Sequence, residues 1–197
     1  MTTSSQRLAA AKAAPRPHRD VHVLLDAGLA ERRDALLEQL ADAEERDAAD
    51  QRLAAPSDEH SAPIRAELDE IAKAAASAVE TIRITRIPGD QWAEIVSRNP
   101  ARVDVPLDTH YGYNYDAVCN AAAVYRDEDG TAYAHRYEGD ELIPLERSEW
   151  FDLISVVSGN EATELRDAVW SLNEYEPSKA LDLLVKSSGV ATRSDTK

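Results

Sequence analysis

The segments "VHVLL" (21–25) and "TIRITRI" (81–87) both alternate with the period of a strand, and the residues between them carry a helical pattern. This pair constrains the fold more than any other feature. If the two strands pair, everything between them is an excursion that leaves the sheet and returns beside its starting point. Val21, Val23 and Leu25 share one face of the first segment, and Ile82 and Ile84 stand against Thr81, Arg83 and Thr85 in the second.

Between the strands, Leu29, Leu36, Leu40 and Ala43 form one helical stripe. "AAPSDEHSAP" (54–63) interrupts it. A second helix opens near Pro63 with Ile64, Leu68, Ile71, Ala75 and Val79 in register. Two amphipathic helices with so short a link fold back as an antiparallel hairpin. Residues 26–80 hold fifteen acidic and six basic side chains, so its outer face is acidic. Residues 1–20 are small, polar and basic, without enough apolar surface to offset ordering, and are expected to be a flexible tail.

Beyond residue 80 the pattern is mostly helical. "PGDQWAEIVSRNP" turns Trp92, Ile95 and Val96 inward, and a stretch without period covers 99–112. In "HYGYNYDAVCNAA" (110–122), Asn114 suits an N-cap, and Tyr115, Val118, Cys119 and Ala122 share one face. Asp129-Gly130 within "YRDEDGTAYAHRY" (125–137) signals a short hairpin. Ser148 is expected to cap a helix with Trp150, Leu153, Ile154 and Val157 inward. Gly159 then stops it, and Asn160 caps one carrying Ala162, Leu165, Val169 and Leu172. "EYEP" ends that helix, "SKALDLLVKSSG" forms a last one, and 189–197 is a flexible tail. The expected fold is mainly α. It has a helical bundle body (80–188), a minor two-stranded β element, and the strand and acidic hairpin of 21–79. Trp92, Tyr115, Val118, Cys119, Trp150 and Val169 are the expected core, with Trp170 off the stripe and half exposed.

Catalytic chemistry finds little footing. Cys119 is the only cysteine and His110 the nearest imidazole, but a thiol on an apolar helix face behaves as a small hydrophobe. The tyrosines of 110–115 read as packing around a helix entrance, their hydroxyls finding Asp104, Asp108 or His110 in the loop. In "YRDEDGTAYAHR", a calcium loop would put Tyr125 at its first position and Arg136 at its last, which excludes it. The five histidines show no i, i+4 pair, and no phosphate-binding loop or nucleophile elbow is present. No cofactor, metal or catalytic residue is expected. A net charge of −15 argues against phosphate-neutralising contact with nucleic acid. No apolar run approaches membrane-spanning length and no signal-peptide core follows the basic N-terminus, so the expected setting is the cytoplasm.

From Thr81 onward, "TIRITRIPGDQWAEIVSRNP", then "YDAVCNAAA", then "SEWFDLISVVSGNEATELRDAVWSLNE" resembles the tail assembly chaperones of long-tailed actinobacterial phages and prophages. The likeness spans roughly 79–186. It includes a Glu-Trp opening the penultimate helix (Glu149-Trp150) and an Asn ending the next (Asn173). The resemblance implies a helical, non-enzymatic chaperone. It would bind the tape-measure protein, assist tail-tube subunits around it in the host cytoplasm, and be absent from the mature virion. Its client would lie in an apolar groove around Trp150, Leu153, Leu165 and Leu172, with self-association left open. Two further readings stand beside it. One is an acidic DNA mimic that inhibits a nucleic-acid-binding partner. The other is a small enzyme using the Tyr/His loop 110–115.

Overall fold

The computed structural model describes residues 3–50 and 58–188; the expected tail at 189–197 and residues 54–57 of the 54–63 break lie outside them. The two bracketing segments do pair. β1 (His18–Leu24) and β2 (Val79–Thr85) run antiparallel in continuous register, with Val21 opposite Ile82. Between them α2 (Ala27–Asp50) and α3 (Ser61–Ala78) form the hairpin. It holds together through Leu36, Ala43 and Ile71, an ion pair between Arg32 and Glu67, and another between Arg65 and Glu44 at 2.7 Å. The buried Asp47 carboxylate accepts from the N–H groups of His60 (3.1 Å) and Ser61 (2.9 Å), capping α3 from its neighbour.

The two-stranded β element is corrected by the structure. The sheet has four antiparallel strands in the order β1-β2-β3-β4, adding β3 (Ala134–Glu138) and β4 (Glu141–Pro144), although the fold is still mainly helical. β3 lacks an alternating apolar signal because its helix-facing side carries Ala134 and Arg136, the latter neutralised by Glu149 at 2.9 Å, and β4 is only 4 residues long. Their hairpin turns at Gly139-Asp140, with Gly139 at φ 63 in the first loop position, where a type II′ turn wants glycine. The Asp129-Gly130 hairpin is only a local turn closed by one bridge, Arg126 to Ala132.

Regular structure begins within the segment expected to be a flexible tail. α1 (Ser4–Ala13) is helical under a Thr3/Gln6 capping box, with no buried residue, and β1 already starts at His18. α4 (Gly89–Arg98) and a short α5 (Pro106–Tyr111), within the stretch expected to lack period, lead to α6 (Tyr115–Ala123). α7 (Arg147–Val156) is capped by Glu146, not Ser148; α8 (Gly159–Trp170) is capped by Ser158, not Asn160, so Gly159 begins this helix. "EYEP" does not end the helical path. A π turn, Ser171–Tyr175, carries it into α9 (Glu176–Ser188). In a regular helix the Pro177 ring would meet the carbonyl four residues back, and the wider turn lies just where that conflict falls.

One face of the sheet (Val21, Val23, Ile82, Ile84, Ala134) closes on α6, α7 and α8 around Trp150, the largest fully buried side chain. Tyr115, Val118, Cys119 and Val169 are buried too, whereas Trp92 and Trp170 are half-buried at the margin. The other face carries His22, which is exposed, and Arg83, His135 and Tyr137, which are half-buried.

Candidate functional site

The tyrosine-rich segment is positioned from both sides. Gly112, at φ 81, ends α5 with its N–H on the Asp108 carbonyl (2.7 Å), and Asn114 caps α6 by accepting from the Ala117 N–H (3.1 Å). The Asn114 N–H also bonds to the Asn99 carbonyl (3.0 Å), tying α6 to the end of α4. Tyr111 stacks on Tyr115 at 4.7 Å and meets Trp170 edge-on at 5.2 Å; Tyr113 meets Trp92 edge-on at 6.3 Å.

The hydroxyl partners differ from those expected in the loop. Tyr113 donates to Glu174 (2.6 Å) and Tyr115 to Asp167, both from the α8–π-turn path. Burial first, then these carboxylates, pushes both phenols well above their ordinary range. They are donors held in place, not acids ready to release a proton. Asp108, fully buried, is taken instead by Arg102. The guanidinium donates through Nε (2.7 Å) and Nη2 (2.9 Å), and the Arg102 N–H adds a third bond at 2.9 Å. That pairing holds the Asp108 carboxyl well below the usual carboxylate range. Periodicity gives no hint of this clamp, since its partners sit in an irregular loop and on a six-residue helix.

Cys119 is fully buried and free, and burial pushes its thiol far up. With the thiolate disfavoured, and His110 meeting Tyr111 edge-on at 4.9 Å, the segment holds no activated nucleophile. The acidic turn at 127–130 is closed by its own chain: the Asp127 carboxylate accepts from the N–H groups of Asp129 (3.1 Å) and Thr131 (2.7 Å). Among the described residues no group of three or more His, Cys, Asp or Glu is arranged to hold a metal, and no helix is long and apolar enough to cross a membrane.

The expected groove is corrected in turn. Trp150, Leu153, Leu165 and Leu172 are buried, because the stripe they form is consumed by packing on the sheet and on α6. The residues that carry the resemblance likewise have structural work. Glu149 closes the α7 capping box and pairs with Arg136, and Trp150 donates to Asn120 Oδ1 at 3.2 Å. Asn173 does not end a helix; it accepts from the Ile87 N–H (3.1 Å) and donates to the Val169 carbonyl (2.7 Å), joining the end of β2 to the π turn.

Exposed apolar side chains are scattered elsewhere, and among the described residues three strongly exposed leucines gather on α9. Leu181, Leu183 and Leu184 are 62%, 60% and 67% exposed, and Tyr175 just before them is half exposed. With about 3.6 residues per turn, the three leucines and Ala180 fall within one half of the helix, opposite Lys179, Asp182 and Lys186. "ALDLL" reads as helix from its sequence, but nothing in the pattern says that its leucines are exposed. Compared with protein-family models, curated proteins and solved structures, the chain matches none.

Proposed function

We propose that this protein is a non-catalytic client-binding chaperone of phage tail assembly, which holds the tape-measure protein in the host cytoplasm while tail-tube subunits gather, and leaves before the virion is complete. The observation that carries this reading is the exposed leucine half of α9, joined to a body in which Tyr113, Tyr115, Cys119 and Asp108 are engaged in holding the fold. The resemblance over 79–186 supplies the client. An amphipathic helix of this kind pairs with another helix through leucines at i, i+3 spacing, which suits a long helical client.

Burying three leucines that are about 60% exposed yields on the order of 3–5 kcal/mol before ordering costs, equivalent to millimolar binding for one copy. Useful retention therefore requires several copies along one client. Because the contact is apolar, salt weakens it little. The test is co-expression with the tape-measure protein encoded alongside it, followed by purification at low and high salt. The wild type is expected to give a complex at both, and the double variant Leu181→Glu, Leu184→Glu at neither. No wild-type complex at either salt rejects the reading. A complex seen only at low salt would move the contact to the acidic α2–α3 hairpin.

A further inference from the structure

β1 is an edge strand, and its register fixes which backbone groups are unused. The Leu25 N–H bonds to the Ala78 carbonyl (3.0 Å) and the Arg86 N–H to the Pro17 carbonyl (2.9 Å). These bonds flank the β1–β2 ladder, so its odd-numbered residues in β1 face β2 and the even-numbered ones face outward. The N–H and C=O of His18, Asp20 and His22 thus point away from the sheet. The fourth outward donor, Leu24 N–H, is already occupied by Glu161 Oε1 of α8 at 2.6 Å. That side-chain oxygen sits where the next strand's carbonyl would be.

Alongside runs a groove of about 420 Å3 lined by Arg19, Asp20, Val21, His22, Glu164 and Asp167, between the strand edge and α8. Glu164 and Asp167 are exposed acids; Asp20 is neutralised by Arg83 (2.8 Å at each oxygen), and Arg19 is the groove's one cation. We infer that this groove takes an extended peptide segment of a partner protein as a fifth strand, paired to His18–His22, with Lys or Arg at alternate positions facing Glu164 and Asp167. Main-chain pairing provides the docking and the α8 carboxylates the preference. A second copy fits less well, because pairing β1 with β1 about a two-fold axis would set two acidic α8 faces across the seam. This surface is separate from α9 and does not depend on the chaperone reading.

The probe is an end-blocked seven-residue peptide alternating Lys with Val and Thr, titrated into the full chain. Fluorescence anisotropy reads binding, and 15N-labelled protein reports amide shifts at His18, Asp20 and His22. Binding is expected to shift those three amides, weaken at least tenfold between 50 and 300 mM salt, and vanish when alternate peptide amides are N-methylated. Glu164→Lys should weaken it about 5–10-fold, since one attraction becomes a repulsion. His22→Pro removes an outward N–H without touching the β2 ladder, and should abolish binding while thermal melting shows a retained fold. Equal affinity for the N-methylated peptide would reduce the effect to general attraction to the acidic surface, and overturn the proposal. So would an absence of binding at millimolar peptide, or concentration-dependent dimerisation with the same three amide shifts and no peptide present.

Discussion

Replacing Trp150 by Ala tests the core directly. Its side chain is fully buried among residues from β1, β2, α6, α7 and α8, where the two halves of the chain meet. Truncating such a residue costs ~3–5 kcal/mol, because surrounding side chains close only part of the cavity. The lost Nε1–H bond adds little, since its acceptor, Asn120, lines a surface groove and can turn to water. A loss of about 4 kcal/mol is a large fraction of the roughly 5–15 kcal/mol typical of a domain. For a chain of this length it should lower Tm by about 8–16 °C. Trp150→Phe keeps most of the volume and should lose only about 1–2 kcal/mol. Urea titration of both variants, followed by far-ultraviolet circular dichroism, measures the difference. A loss under about 1 kcal/mol for the alanine variant, with an unchanged slope, would refute Trp150 as the packing centre.

Replacing residues 26–77 by Asn-Gly should preserve the sheet, because Leu25 and Ala78 are already a hydrogen-bonded pair; removing residues 1–78 should expose Ile82 and Ile84 and cause aggregation. Native thiol labelling of Cys119 should be slow, and fast after unfolding. Rapid native labelling would contradict its burial. Stability should fall in acid. Asp108, first through its Arg102 hydrogen bonds, has a folded pKa below the ordinary 3.8, so its contribution is complete above that pH and is lost as pH falls below it. His135, depressed first by burial and then by Arg126, removes stability in the same direction from about pH 6.5 downward. Tm measured between pH 7 and pH 3 should show the His135 step and then the onset of the Asp108 loss below about pH 4, and His135→Phe should flatten only the upper one.

The parts of this fold legible in the sequence are those where a period meets a buried face. β1 and β2 alternate because one side of each rests on the helices, and α6 shows its stripe because Tyr115, Val118, Cys119 and Ala122 all turn inward. β3 escapes the same test because Ala134 and an ion-paired Arg136 occupy its inner positions, and β4 because its 4 residues are too few to show a period. Helix starts slipped where two cap-forming residues lie close together. Ser158 beats Asn160 because Glu161, three residues after Ser158, completes a capping box. Of the candidate surfaces, periodicity identified the apolar stripe of α7 and α8 but not its consumption by the sheet. It likewise could not show that the leucines of α9 are exposed, or that the outer edge of β1 at His18–His22 pairs with no strand among the described residues. Those are properties of what packs beside an element, which its own spacing does not encode.

The central claim, that α9 is the client-binding surface of a non-catalytic chaperone, is tested most directly by hydrogen exchange on the full chain with and without its tape-measure protein. The account predicts slowed exchange across 176–188, the same at low and high salt, with the amides of α6 unchanged. Unaltered exchange in α9 alongside protection over the tyrosine-rich segment at 110–115 would contradict it.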